Sequence, residues 1–105
     1  MAIVEVSIVP LGTGDTGLSR FVAGCLKVLQ SEKGLIYQLT PMGTIIEGDL
    51  DRILSLIRRM HEEPFASGAE RVITTIKVDD RRDRHATMSA KVASVEQKLF
   101  RERQQ

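Results

Sequence analysis

A glycine-rich segment follows the first apolar run of the chain. Gly12-Thr13-Gly14-Asp15-Thr16-Gly17 matches the G-x-G-x-x-G pattern, and it lies between a predicted strand and a predicted helix. A dinucleotide-binding unit also requires an acidic residue at the end of the second strand, where this chain has Leu39-Thr40-Pro41. The pattern therefore does not indicate a dinucleotide fold. Backbone N–H groups between Thr13 and Gly17, including those of Thr13 and Gly14, could still bind a phosphate or sulfate.

A charged cluster follows the last predicted strand. Asp79-Asp80-Arg81-Arg82-Asp83-Arg84-His85 holds three acids and three arginines, so the cluster has no net charge with its histidine neutral. One interpretation is a solvated connector with weak ion pairs. The other is an anion site, or an ion-pair cluster between subunits, that uses Arg81, Arg82 or Arg84.

Few residues of this chain are candidates for metal ligands or catalytic nucleophiles. His61-Glu62-Glu63 resembles a metal cluster, but adjacent helical residues point to different sides and no second histidine lies one turn away, which indicates a solvated helix end. No serine or cysteine forms a recognisable nucleophilic motif with a histidine. The only cysteine, Cys25, lies in an apolar stretch, as a buried thiol does. We therefore expect no metal, no cofactor and no catalytic centre.

Composition argues against several functional classes. Fifteen basic and fourteen acidic residues give a net charge of +1, which does not favour nucleic acid or an anionic membrane. Four aromatic residues are too few for base-stacking platforms. No segment reaches the roughly 18 apolar residues of a membrane span, and the first residues lack signal-peptide features. The single cysteine suits a reducing compartment, so we expect a cytoplasmic location.

Apolar spacing predicts the elements that position these residues. Alternation predicts four strands, over 3–9, 35–40, 44–47 and 72–78. Helical spacing predicts two helices, with stripes of Leu18, Phe21, Val22, Cys25, Leu26 and Leu29, and of Leu50, Ile53, Leu54, Ile57 and Met60. Asp49 or Asp51 can cap the second helix, and Pro64 is expected to mark its end. A third helix has a narrow, coiled-coil-like stripe of Met88, Val92, Val95 and Leu99.

The order of these elements predicts the fold. A βαββαβ order with right-handed crossovers gives an α+β, ferredoxin-like sandwich, in which two helices cover one face of an antiparallel sheet. The C-terminal helix is additional to that fold. Its stripe could cover the chain's own sheet or pair with another subunit, and its narrowness favours the second. A chain of 105 residues fits one domain over 1–105.

The sheet face without helices is the expected functional surface. Its predicted members are Glu5, Ser7, Val9, Gln38, Thr40, Ile45, Glu47, Ile73, Thr75 and Lys77. Carboxylates, hydroxyls and aliphatic side chains together suit a subunit contact between sheets or a small heteroaromatic ligand. The alternative is a solvated face with incidental aliphatic residues.

Three segments of the chain form a recognisable set. They are Val6-Ser7-Ile8-Val9-Pro10-Leu11-Gly12-Thr13, Tyr37-Gln38-Leu39-Thr40-Pro41-Met42-Gly43-Thr44 with Ile46-Glu47-Gly48, and Ile76-Lys77-Val78-Asp79-Asp80-Arg81-Arg82-Asp83. Together they closely resemble the small thiamine-binding protein family. The resemblance implies a ferredoxin-like fold and assembly as dimers or tetramers through the sheets. It also implies binding of thiamine or its hydroxymethylpyrimidine moiety, without an established reaction.

The chemistry of an aminopyrimidine nominates ligand-binding residues. Its amine and ring nitrogens require a carboxylate or carbonyl beside a hydroxyl, against an apolar wall. The polar candidates are Glu5, Ser7, Thr44 and Glu47, and the wall candidates are Tyr37, Met42 and Ile45. We therefore expect a non-catalytic homo-oligomer that binds thiamine or its pyrimidine. The alternative is a regulatory or structural oligomer that binds an anion, through Thr13, Gly14, Arg81 or Arg82, or no small ligand.

Overall fold

Four strands and three helices make up the part of the chain that the computed structural model describes, which is residues 1–12, 14, 19–83 and 88–104. In chain order they are β1 (Ala2–Leu11), α1 (Ser19–Ser31), β2 (Ile36–Thr40), β3 (Gly43–Gly48), α2 (Leu50–Ala66), β4 (Arg71–Asp80) and α3 (Met88–Gln104). The predicted βαββαβ order with an extra C-terminal helix is confirmed. The fold is therefore α+β and ferredoxin-like.

The strands form one antiparallel sheet in the order β2-β3-β1-β4. The central strand β1 pairs with β3 on one side and with β4 on the other, so that Val4 lies between Ile46 and Val78. This confirms the predicted place of the first strand between the third and fourth. Because side chains alternate across a strand, this register also decides which residues share each face.

The core lies between the sheet and the two helices α1 and α2. Its buried members come from β1, β3, α1 and α2, and they are Ala2, Val4, Val6, Cys25, Leu29, Ile46, Ile53, Leu56, Ile57 and Met60. Burial of each large aliphatic side chain stabilises the fold by about 1.5–3 kcal/mol. Both helices are thereby fixed to the same face of the sheet, and the opposite face stays open.

The ends of α2 follow from its side-chain chemistry. Asp49 caps the helix, because its carboxylate accepts a hydrogen bond of 3.1 Å from the backbone N–H of Arg52. Pro64 does not end the helix, which continues to Ala66. Proline has no N–H to donate to the carbonyl of Met60, four residues earlier. The Cys25 thiol donates to that carbonyl instead, at 3.5 Å, and so bridges α1 and α2.

The buried stripe of α2 differs from the predicted one by one position. Leu54 is 40% exposed, whereas Leu56 is completely buried. Leu54 and Leu56 both lie next to the stripe of Ile53 and Ile57 on the helix surface, so the apolar spacing alone is compatible with burial of either leucine. Only the position of the helix over the sheet decides which leucine enters the core.

The third helix extends away from the sandwich. Val92, Val95 and Leu99 are each about half exposed, so the stripe does not cover the chain's own sheet. The radius of gyration is 16.3 Å, against about 13 Å for a compact chain of 100 residues. Among the described helices, none is long and apolar enough to cross a membrane. Within the described part of the chain, the apolar stripe of α3 is therefore left largely uncovered.

Candidate functional site

The open face of the sheet carries the predicted mixture of polar and apolar side chains. On it, Glu5 of β1 lies between Ile45 of β3 and Lys77 of β4. Ser7 lies next along β1, opposite Thr75. The predicted membership of this face is confirmed by the register, which makes Glu5 and Lys77 cross-strand neighbours of opposite charge.

Glu47 connects the open face to the start of α3. Its side chain is 5% exposed, and its carboxylate accepts a long hydrogen bond of 3.4 Å from the backbone N–H of Met88. Such N–H groups at the start of a helix have no partner within the helix, and they favour negative charge. An ion pair between Lys91 and Asp79 joins α3 to the end of β4. Glu47 thus acts in this structure as an attachment point for α3.

The structure does not bring the seven nominated ligand residues together. Glu5, Ser7, Ile45 and Glu47 share the open face. Tyr37 and Thr44 lie on the other side of the sheet, since they pair with Ile46 and Val6 respectively. Met42 lies in the turn between β2 and β3 and is 82% exposed. The nominated set is therefore divided by the sheet.

A cavity of about 280 Å³ lies between the β2–β3 hairpin and α1, mainly on the helix-covered side of the sheet. We call it the hairpin cavity. Its lining residues are Val6, Ser7, Ile8, Val22, Cys25, Leu26, Leu39, Thr40, Pro41, Met42, Gly43, Thr44 and Met60. Three of the nominated residues therefore border the hairpin cavity: Thr44 on the helix-covered side, Met42 in the turn, and Ser7, whose side chain belongs to the open face. Among the described residues that line it, none is a lysine, arginine, aspartate or glutamate.

The turn that closes this cavity is held by its own hydrogen bonds. The Thr40 hydroxyl accepts from the N–H of Met42 at 3.2 Å and donates to the carbonyl of Gly43 at 2.9 Å. A Cβ atom at Gly43 would lie 2.7 Å from the carbonyl oxygen of Val6, so glycine allows β3 to approach β1 there. The Thr44 hydroxyl makes no hydrogen bond to another residue in the described part of the chain.

Cys25 forms part of the cavity wall. Burial raises the pKa of its thiol to about 11, and the negative charge of Glu63 adds to the effect. The thiol is therefore neutral at physiological pH, which suits its role as a hydrogen-bond donor to Met60. Sequence reasoning predicted a buried thiol here, and the structure confirms it.

We expect the Cys25 thiol to react about 100-fold more slowly with a thiolate-selective disulfide reagent in the folded protein than in the unfolded chain. The pKa rises from 9.0 to about 11, and each pKa unit lowers the thiolate fraction tenfold. The measurement is the labelling rate near pH 8 with and without denaturant, with Cys25→Ser as the unlabelled control. Because the unfolded chain loses the proton first, the stability contributed by the neutral thiol should be complete below pH 9 and decline towards pH 11. Equal labelling rates in both states would contradict the pKa assignment.

The candidate anion residues lie at two separate places. Arg81 donates to both carboxylate oxygens of Asp83, at 2.6 and 3.0 Å, and Arg82 donates to Asp80 at 2.9 and 3.2 Å. The hydrogen bond from Arg82 lowers the pKa of Asp80. These are exposed ion pairs, as expected for a solvated connector.

The glycine loop lies far from this cluster. Leu11, before the loop, pairs with Arg71, whereas Asp80, before the arginines, pairs with Ala2. Ten paired residues separate the two ends, a distance of about 30 Å along the strands. Gly14 is exposed, and Thr13 and Arg84 lie outside the described residues. Leu11, before the loop, and Asp80, in the cluster, therefore lie at opposite ends of the β1–β4 pair.

His61 has a structural contact that its sequence neighbourhood did not indicate. Its Nδ1 lies 2.7 Å from the Thr74 hydroxyl, and its ring meets Phe65 edge-on. The residue therefore joins α2 to β4 and is not part of a solvated helix end. Within the described ranges, no group of three or more His, Cys, Asp or Glu residues could hold a metal ion.

Comparison with known proteins covers nearly the whole chain. The family model described as thiamine-binding protein matches residues 4–96. UPF0045 protein YqgV of Bacillus subtilis is 45% identical over 102 residues, with 94% of this chain and 98% of that protein covered. A UPF0045 protein of Staphylococcus xylosus is 43% identical, with 94% and 95% covered.

Solved structures share the fold. Hypothetical protein MJ1052 of Methanocaldococcus jannaschii superposes with a TM-score of 0.81 at 33% identity, covering 90% of this chain and 95% of that one. A putative thiamine biosynthesis/salvage protein of Thermotoga maritima has a TM-score of 0.73, with 90% and 97% covered. At 20% identity, this second structure supports the fold alone. From the family match and these relatives, the chain belongs to the thiamine-binding protein family.

Proposed function

We propose that this protein binds thiamine or its hydroxymethylpyrimidine moiety without converting it, as a cytoplasmic homo-oligomer. The observation that carries the proposal is the family match over residues 4–96, which includes every residue that lines the hairpin cavity. A mostly apolar cavity with a few hydroxyl groups is typical of sites for small heterocycles.

Two side chains that could have served as reactive groups support a binding role without catalysis. The Cys25 thiol is neutral and donates to a backbone carbonyl, so it is a poor nucleophile. The His61 imidazole contacts Thr74 and Phe65, away from the residues that line the cavity. Neither group is arranged to attack a ligand or to transfer a proton to it.

Exposed apolar surface supports assembly. The stripe of α3 is about half exposed among the described residues, and β4 pairs only with β1, so its outer edge is unpaired in the described sheet. Ile76 and Val78 of β4 stay more than 40% exposed although they lie on the helix side, since the core is centred over β1 and β3. A second copy that covers these residues would remove them from water. Within each copy, we propose that residues 1–105 form one domain.

The anion-binding alternative has less support. Arg81 and Arg82 each donate two hydrogen bonds to a neighbouring carboxylate, and the glycine loop lies at the other end of the strands. The negative charge of each carboxylate next to its guanidinium group disfavours a further anion there.

Isothermal titration calorimetry of the wild-type protein tests the proposed function. We expect saturable binding of thiamine, hydroxymethylpyrimidine or both, with one site per chain. Chromatography after prolonged incubation should recover the bound compound unchanged, as a binding protein requires. Absence of heat and of saturation from both compounds at millimolar concentration would overturn the proposal, and a converted product would show catalysis instead.

A further inference from the structure

A short connection joins the two elements that border the hairpin cavity. Helix α1 ends at Ser31 and β2 begins at Ile36, so residues 32–35 link the helical wall of the cavity to its hairpin wall. We infer that this connection is a hinge, that Arg52 of α2 is its lock, and that release of the lock lets β2 swing away from α1. The inference concerns access to the cavity and does not depend on the ligand.

Arg52 contacts three consecutive residues of the connection. Its guanidinium group donates a hydrogen bond of 3.1 Å to the Glu32 carboxylate and a second one to the backbone carbonyl of Lys33. It also lies against Gly34, where an added Cβ atom would come within 2.9 Å of Nη1. The φ of Gly34 is +85°, in the left-handed region that favours glycine. Glycine thus supplies the pivot of the connection, and Arg52 fixes the chain beside it.

Two arginines of α2 share the Glu32 carboxylate, but they are not equivalent. Arg59 donates to its second oxygen at 2.7 Å, from a position two turns along the same face of α2. Glu32 therefore keeps one arginine if the other is removed. The carbonyl of Lys33 has only Arg52 as a partner among the described residues. Loss of Arg52 should therefore free the connection more than loss of Arg59.

β2 is the strand that the rest of the sheet holds least firmly. It pairs only with β3, and it supplies no residue to the buried core formed by the described residues. Its apolar side chains Ile36, Tyr37 and Leu39 are each more than one third exposed. Segments with few buried apolar contacts open locally at a lower free energy than core strands do. Contacts that fix the start of β2 therefore restrain its opening more than they would for a core strand.

The geometry of the hairpin amplifies a small motion at the hinge. The connection lies at the base of β2, whereas Met42 in the turn lies at its far end, about 17 Å away along five strand residues. A rotation of about 10° at the base would move the turn by about 3 Å. Helix α1 would not follow, because its closest packing is with α2 and not with the sheet. The motion would therefore widen the mouth of the cavity between α1 and the turn.

The thiol of Cys25 reports this opening, because it lies on α1 in the cavity wall and is buried. We expect Arg52→Gln, which retains helix propensity, to raise the rate of disulfide labelling of Cys25 about three- to tenfold in native buffer. Arg59→Gln should raise it less than about threefold. The matched control is Arg58→Gln, which removes the same charge from the same helix and loses only an exposed pair with Glu62. Its labelling rate should stay within about 1.5-fold of the wild-type rate.

Urea dependence and hydrogen exchange distinguish local opening from lower global stability. Below the unfolding transition, the labelling rate of Arg52→Gln should change less than about twofold per molar urea, because local opening exposes little surface. Global unfolding would raise the rate at least about fivefold per molar urea. Backbone amides of β2 should exchange faster in Arg52→Gln than in the wild type, whereas amides of β4, at the other edge of the sheet, should keep their rates.

One consequence rests on the proposed function. If hydroxymethylpyrimidine enters through the opened mouth, its association and dissociation rates should both rise about three- to tenfold in Arg52→Gln. The dissociation constant should stay within about threefold of the wild-type value, because Arg52 does not belong to the cavity lining.

The labelling experiment decides the inference without a ligand. Labelling of Cys25 in Arg52→Gln at the wild-type rate would overturn it, and so would an increase that follows the urea dependence of global unfolding. An equal increase in Arg58→Gln would assign the effect to the lost positive charge and would also overturn it. None of these results bears on whether the protein binds thiamine, so failure of the hinge and failure of the proposed function are distinguishable.

Discussion

Val95→Glu is expected to dissociate the proposed homo-oligomer, raising its dissociation constant by at least about 100-fold. Val95 is 57% exposed in the centre of the α3 stripe, between Val92 and Leu99. If these stripes meet in a symmetric contact, each substitution places an unpaired carboxylate in the interface twice. An uncompensated buried charge destabilises by about 3–5 kcal/mol, and 1.4 kcal/mol corresponds to tenfold in affinity.

Sedimentation velocity across a concentration series measures this effect. The matched control is Ser94→Glu, which adds the same charge to the same helix beside the stripe and should retain the wild-type mass. A Val95→Glu variant that assembles as well as the wild type would exclude the α3 stripe as the subunit contact. A wild-type protein that is monomeric at all concentrations would overturn the proposed assembly itself.

Leu56→Ala is expected to lower the free energy of unfolding by about 2–5 kcal/mol, whereas Leu54→Ala should lower it by less than about 1 kcal/mol. Leu56 is completely buried between α2 and the rest of the core, so truncation leaves a cavity there. Leu54 is 40% exposed on the same helix, two residues away. Both substitutions change helix propensity equally, so their difference isolates the contribution of burial.

Urea unfolding followed by circular dichroism compares the two leucine variants. Domains of this size are stable by about 5–15 kcal/mol, so Leu56→Ala would remove a large part of the total. Similar midpoints for both variants, with unchanged slopes, would show that α2 presents a different face to the sheet from the one described.

The faces of the sheet could be predicted because strand alternation is local. Val4 and Val6 belong to the core, Glu5 belongs to the open face, and these assignments need only the period of two along β1. Burial along β4 could not be predicted in the same way. Ile76 and Val78 lie on the expected side, yet stay exposed, because burial depends on how far the helices extend across the sheet.

The candidate site was less predictable than the fold. The nominated residues were chosen by chemical type, and the register then divided them between two faces and a turn. Thr44 and Tyr37 lie across the sheet from Glu5, since β2 and β3 have their own alternation and their phase relative to β1 is set by pairing. The hairpin cavity had no sequence signal, because its lining joins segments that are distant along the chain.

By itself, the sequence determined the element order, the faces of β1 and β4, the capping of α2 by one of two aspartates, and the buried state of Cys25. These features depend on periodicity and composition within single segments. The tertiary structure decided which leucine of α2 enters the core, how α2 continues past Pro64 while Cys25 bonds to Met60, and how Glu47 holds the start of α3. It also decided that the α3 stripe leaves the sheet and that a cavity forms beside the hairpin. Each of these depends on the relative placement of elements, which packing in three dimensions sets and local pattern does not.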